Sequence, residues 1–161
     1  MTYTQVQLIS ERTLMSTMEQ LFTDAKYDQV IDLASNHAKL SLKERELLAL
    51  SHFQTQNFEK ALEIFEDALK IEPTRALNHY HLGLCYLELN NTQEAVIALK
   101  KSIQTDPLLQ KAYYALGSIY VNYNLQQEAV QIWREIILIN PFTDSARKAY
   151  DQIVQNQIKP Q

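Results

Sequence analysis

The sequence predicts an all-α fold, an α-solenoid of antiparallel helix pairs, on three observations. Pro73, Pro107 and Pro141 are evenly spaced, thirty-four positions apart twice over, and each closes the same apolar pattern. The 161 residues include only two glycines and four prolines, which is too little turn chemistry for a protein built on β-hairpins. Apolar residues such as Leu14, Met18, Leu21 and Phe22 recur at helical spacing. An interval of this size marks one helix-turn-helix unit stacked repeatedly, each copy burying a face that it could not bury alone.

Taken in order, the chain opens with two apolar stripes. The first holds Leu14, Met18, Leu21 and Phe22, and the second Tyr27, Val30, Ile31, Ala34 and Ala38. Aligning Tyr27 with Phe58 leaves an interval three positions short of that period, so residues 11–41 read as a degenerate first repeat shortened at its exit loop. Three full windows follow without a gap, 42–75, 76–109 and 110–143. The second carries His79, Leu82, Gly83, Tyr86, Ala95, Leu99 and Pro107, and the third Tyr113, Leu116, Gly117, Tyr120, Ala129, Trp133 and Pro141 at the same offsets. In the first window those offsets hold Arg45, Leu48, Ala49, His52, Ala61, Phe65 and Pro73.

Both glycines fall at one offset, after Leu82 and after Leu116. A glycine inside a helix costs about 1 kcal/mol against alanine, so the pattern predicts close approach of the second helix there, with Ala61, Ala95 and Ala129 as the small residues opposite. Turns are expected near Gln56-Asn57, Asn90-Asn91 and Asn124, where asparagine substitutes for glycine in a left-handed cap. Each closing proline ends its second helix, because it lacks an amide donor and restricts the residue before it. Thr143 or Asp144 can cap a final helix over 144–158, whose Ala146, Ala149, Tyr150, Ile153 and Val154 share a face. Asp151 stands where a further repeat needs its glycine, so this segment reads as a capping helix within a single domain spanning 1–161.

The offsets together resemble the tetratricopeptide (TPR) repeat: a large residue, Leu-Gly, Tyr, then Ala, an aromatic and Pro. The resemblance implies a right-handed solenoid whose first helices line a concave groove where peptides bind. Carried over by offset, that groove holds Leu50 and Phe53 from the first window, Tyr80, Leu84 and Leu87 from the second, and Lys111, Tyr114 and Val121 from the third, with Glu46 and Ser118 beside them. Tyr80 and Tyr114 are the expected hot spots. One TPR subclass grips the acidic tails of heat-shock chaperones through a Lys/Asn, Asn, Lys/Arg clamp. The matching positions here are Glu46 and Leu50, then His81, then Lys111 and Ala115, of which only Lys111 fits. The resemblance therefore implies a non-catalytic adaptor that binds a peptide or helical segment of another protein. The alternative is a chaperone-like holder of a hydrophobic client, similar in layout to the small chaperones of type III secretion.

Composition narrows the remaining classes. A formal net charge of -4 supplies no polybasic footprint for nucleic acid or an anionic membrane surface. One cysteine, Cys85, can form neither an internal disulfide nor a cysteine-rich metal site, which suits a reducing compartment. With no cationic-then-apolar leader and no 18-residue apolar run, the chain reads as cytoplasmic and unprocessed. No metal or cofactor is expected: His79 and His81 point to different faces of a helix, and packing explains His52 and Cys85. The last window is poor in charge, with four charged residues against twelve in 42–75, and it carries the apolar run Ile136 to Ile139. The final helix is expected to cover that run; the sharper alternative is self-association through the C-terminal repeat.

Overall fold

A computed structural model describes the backbone of residues 3–158 and the side chains of 13–155. The described residues are helices and turns, organised as two compact units, Met1–Pro73 and Thr74–Gln161.

The first unit contains α1 (Tyr3–Thr23), α2 (Tyr27–Ser35), α3 (Leu42–Gln54) and α4 (Phe58–Ile71). Leu14, Met18, Val30 and Ala34 form its buried cluster, flanked by Leu21, Phe22, Leu33, Leu40, Leu47 and Leu48. Helix α1 begins well before position 11, where the sequence pattern starts the repeat. Helix α2 has nine residues against 14 in α4, whereas the loop beyond it, 36–41, is longer than the loop 72–75 that follows α4, so the shortening lies in the helix and not, as expected, in the exit loop. Its end is closed by side chains that take the place of helical amide donors. Ser35 Oγ donates to Ile31 O at 2.8 Å and Asn36 Nδ2 to Asp32 O at 2.9 Å, while His37 Nδ1 lies 2.8 Å from Leu33 O. Ala38, assigned by periodicity to the buried stripe, therefore lies beyond the helix and is exposed. Helix α3 starts on a reciprocal cap: Ser41 Oγ accepts from Glu44 N, and Ser41 N donates to Glu44 Oε2 at 2.7 Å. That satisfied carboxylate explains how Glu44 is buried.

The second unit contains α5 (Ala76–Glu88), α6 (Thr92–Thr105), α7 (Gln110–Asn122), α8 (Gln126–Ile139) and α9 (Asp144–Ile158). Helices α3, α5 and α7 each have 13 residues and α4, α6 and α8 each have 14, so the repeat period is carried by the helix boundaries as well as by the sequence. Each second helix ends two residues before its proline, and the residue between is extended, with φ of -131° at Glu72, -134° at Asp106 and -162° at Asn140. One seam inside the repeat is tied in opposite directions in the two full repeats of this unit. Ser102 Oγ donates to Ala76 O at 2.8 Å, whereas Gln110 Nε2 donates to Ile136 O at 2.7 Å, using the same pair of offsets.

The glycines are indeed sites of close approach, although the neighbour differs from the expected one. A Cβ on Gly83 would stand 2.8 Å from Leu99 Cγ, and one on Gly117 would stand 2.7 Å from Trp133 Cδ1 and nearer still to Trp133 Nε1. The large side chain at the aromatic offset takes the space. From the alanine offset, Ala95 O lies 3.3 Å from the same position at Gly83, and Ala61, Ala95 and Ala129 are all fully buried.

Left-handed backbone occurs at Gln56, Asn90 and Asn124, with φ of 61°, 59° and 59°. These are the positions expected from the turn chemistry. A fourth, Ala25 at φ 57°, joins α1 to α2. This conformation costs alanine about 1–2 kcal/mol, a strain that glycine escapes while losing more chain entropy on folding. Ala25→Gly is therefore expected to raise stability by about 0.5–1 kcal/mol, read as a higher unfolding midpoint in urea.

Candidate functional site

Within the second unit a cleft of about 810 Å³ opens between α5, α7 and the start of α9. One wall is apolar, built by Tyr80, Leu84 and Leu87 from α5 and Tyr114 from α7. These residues share a wall because Tyr80, Leu84 and Leu87 recur at helical i, i+4, i+7 spacing, and Tyr114 stands one full repeat after Tyr80. The rim is polar and carries Lys111, Asp144 and Lys148. Asp144 is paired with Arg147 at 3.1 Å, and both lysines are exposed, so the rim presents two ammonium groups against one carboxylate.

Five of the sequence-assigned residues, Tyr80, Leu84, Leu87, Lys111 and Tyr114, meet in this cleft, together with Ser118. Leu50 and Phe53 lie on α3 in the first unit, both half-buried, and Phe53 packs edge-on against Phe58 with ring centroids 5.2 Å apart. Val121 does not line the cleft: half-buried, it packs against the cluster of Ala129, Trp133, Ile136, Ala146, Ala149 and Ile153 that α8 and α9 build together.

The two tyrosines chosen as hot spots are tied into the structure. Tyr80 packs against the cluster around Leu99 and Leu116, and burial raises its pKa above the ordinary tyrosine value. Tyr114 stacks on Trp133 with centroids 6.0 Å apart and planes at 25°, and its carbonyl accepts a hydrogen bond from Trp133 Nε1 at 3.3 Å. Leu84 lines the cleft without belonging to a core cluster, which leaves its side chain half-exposed on the cleft wall.

The contribution of α9, through Asp144, Ser145 and Lys148, was missed in the sequence. A usable signal was present. Ala146, Ala149 and Ile153 mark the buried face of α9, so Ser145 and Lys148, three residues apart, share a different one. Thr143 rather than Asp144 caps this helix, its Oγ1 accepting from Ala146 N at 3.1 Å. That frees Asp144 to stand at the rim. Helix α9 also buries Ile136 fully and Ile137 in part, but it leaves Leu138 77% exposed, so the apolar run is only half covered.

The residues that invited chemistry are otherwise employed. Cys85 is buried, and desolvation pushes its thiol pKa up to about 12, which removes thiolate character at neutral pH. Burial, and then the charge of Lys60, hold His52 below the usual histidine value. Among the described residues no three His, Cys, Asp or Glu side chains converge on a common point, and no helix is long and apolar enough to cross a membrane.

Two family profiles match the chain: that of the anaphase-promoting complex, cyclosome, subunit 3, over residues 24–102, and that of the tetratricopeptide repeat over 110–143. Comparison with curated proteins gives no significant sequence match. Among solved structures, the crystal structure of MamA superposes with a TM-score of 0.70 at 20% identity, covering 92% of this chain and 81% of that one. The TPR2B domain of yeast Sti1 in complex with an Hsp70 peptide gives 0.67 at 17% identity, over 73% and 98%. The first TPR of Spaghetti (RPAP3) bound to the HSP90 peptide SRMEEVD gives 0.64 at 14%, over 73% and 94%.

Proposed function

Because the chain belongs to the tetratricopeptide-repeat family and has its all-α solenoid fold, we propose that it is a non-catalytic adaptor whose cleft between α5, α7 and α9 binds a peptide or helical segment of another protein. The observation that carries this reading is the cleft itself: an apolar wall facing two exposed lysines. Such a surface suits a segment with apolar anchors on one side and carboxylates on the other. Each buried Leu-sized anchor contributes about 1.5–3 kcal/mol before association costs, so micromolar binding, about 8 kcal/mol net, takes several anchors together with the polar contacts of the rim.

Peptide-bound relatives of the same fold favour a protein ligand. The carboxylate clamp of the chaperone-tail subclass is matched here only at Lys111. Its other positions, Glu46, Leu50, His81 and Ala115, offer an anionic tail little compensation for desolvation, so a heat-shock tail is a poor candidate. The acidic chain and the apolar wall also disfavour nucleic acid.

The test uses Leu84→Asp/Lys111→Glu, both outside the core clusters, in place of tyrosine substitutions that would disturb the packing around Leu116 behind Tyr80 and Trp133 behind Tyr114. Affinity capture with quantitative mass spectrometry is expected to show partners of the native chain depleted at least tenfold with this variant, at unchanged helical circular dichroism. Equal recovery would refute the cleft as the binding surface. A client that becomes insoluble without this protein would move the assignment from adaptor to holder.

A further inference from the structure

Helix α9 continues the register of α7. Arg147, Tyr150 and Asp151 stand one full repeat after Tyr113, Leu116 and Gly117. Leu116 is 1% exposed, but Tyr150 is 60% exposed, and Phe142 at the head of the helix is 96% exposed. Beside these two rings lies a hollow of about 390 Å³, floored by Ile137, Pro141 and Ala146. An apolar surface this open is normally covered by a partner.

The glycine offset limits what can cover it. Gly117 admits Trp133 because it has no side chain, whereas Asp151 puts a Cβ and a carboxylate at that place. A further helix that put a bulky apolar side chain at this offset, as Trp133 stands at Gly117, would press it on the Asp151 carboxylate and desolvate it. An occupant that brings a cation to Asp151 and an anion to Arg147 matches both charges of the stripe. The same stripe of α9 carries both, four residues apart.

We infer that a second copy of this chain covers the face, with the two α9 helices antiparallel about a two-fold axis. Each Arg147 then meets Asp151 of the other copy, and Tyr150 of each copy lies near the axis between the two ion pairs. A two-fold contact uses one patch twice, so the patch must be self-complementary, as this one is. Arg147 has only an exposed partner to give up, Asp144, with side-chain exposures of 73% and 85%. Phe142 and Tyr150 supply the apolar part of the contact, which lies on a different face of α9 from Ser145 and Lys148 of the cleft.

Charge reversal tests the pairing by its symmetry. In sedimentation equilibrium the native chain is expected to dimerise, and Arg147→Asp or Asp151→Arg alone to weaken association about tenfold or more by juxtaposing like charges. An equimolar mixture of the two variants restores it, because the hybrid dimer regains both pairs. Tyr150→Asp abolishes the dimer while helical circular dichroism stays unchanged, the side chain being exposed. A native chain that remains monomeric at every concentration overturns the inference. So does a dimer indifferent to Tyr150→Asp, or a mixture that associates no better than its components.

Discussion

Gly117→Ala is expected to destabilise the protein by about 2–4 kcal/mol and to lower its melting temperature by roughly 5–15 °C. On an isolated helix the same change would stabilise by about 1 kcal/mol, so the sign itself reports the packing. The added Cβ would stand 2.7 Å from Trp133 Cδ1 and Cε2. The indole has no easy retreat: it is 1% exposed, stacked on Tyr114 and hydrogen-bonded to the Tyr114 carbonyl. Gly83→Ala meets Leu99 Cγ at 2.8 Å and Cδ2 at 3.0 Å, a milder overlap with a smaller side chain than the indole. Its cost should be smaller, and thermal unfolding of the two variants side by side checks the order.

Trp133→Ala is expected to cost about 3–5 kcal/mol, the range for removing a large buried aromatic. Its cluster joins α8 to α9 through Ala146, Ala149 and Ile153 and supports Tyr113, Tyr114, Tyr120 and Val121. The loss therefore spreads to the cleft, since Tyr114 is one of its walls. A double-mutant cycle separates collision from cavity. With the indole gone, adding Gly117→Ala should be close to neutral, giving a coupling of about 2 kcal/mol or more between the two positions. Additive losses would show that Gly117 serves something other than the approach of Trp133.

Much of this fold was legible because a repeat states each structural demand several times. The offsets of Pro73, Pro107 and Pro141 predict where α4, α6 and α8 end, and Gln56, Asn90 and Asn124 fall where left-handed turns were expected. Ala25 escaped because alanine carries no left-handed preference to read. The glycine offset announced a close approach but not its occupant, which depends on the rotamers of Leu99 and Trp133. The candidate cleft was legible in part. Tyr80, Leu84, Leu87, Lys111 and Tyr114 share a cleft because the period places them on equivalent faces. Val121 and Lys148 exchanged roles for a reason outside the period: α9 docks on α8, and the cluster the two helices share takes up the first while the second comes to the cleft. Tyr80 and Tyr114 carry both packing and surface, a double duty that offsets alone do not reveal.

The most direct measurement is amide and methyl NMR of the protein titrated with a captured partner segment. Binding in the cleft predicts the largest shift changes at Leu84, Leu87, Lys111, Ser118 and Lys148. Changes concentrated instead on the outward residues of α6 and α8, such as Ile97 and Leu138, with the cleft residues unmoved, would contradict the assignment of this cleft as the recognition surface.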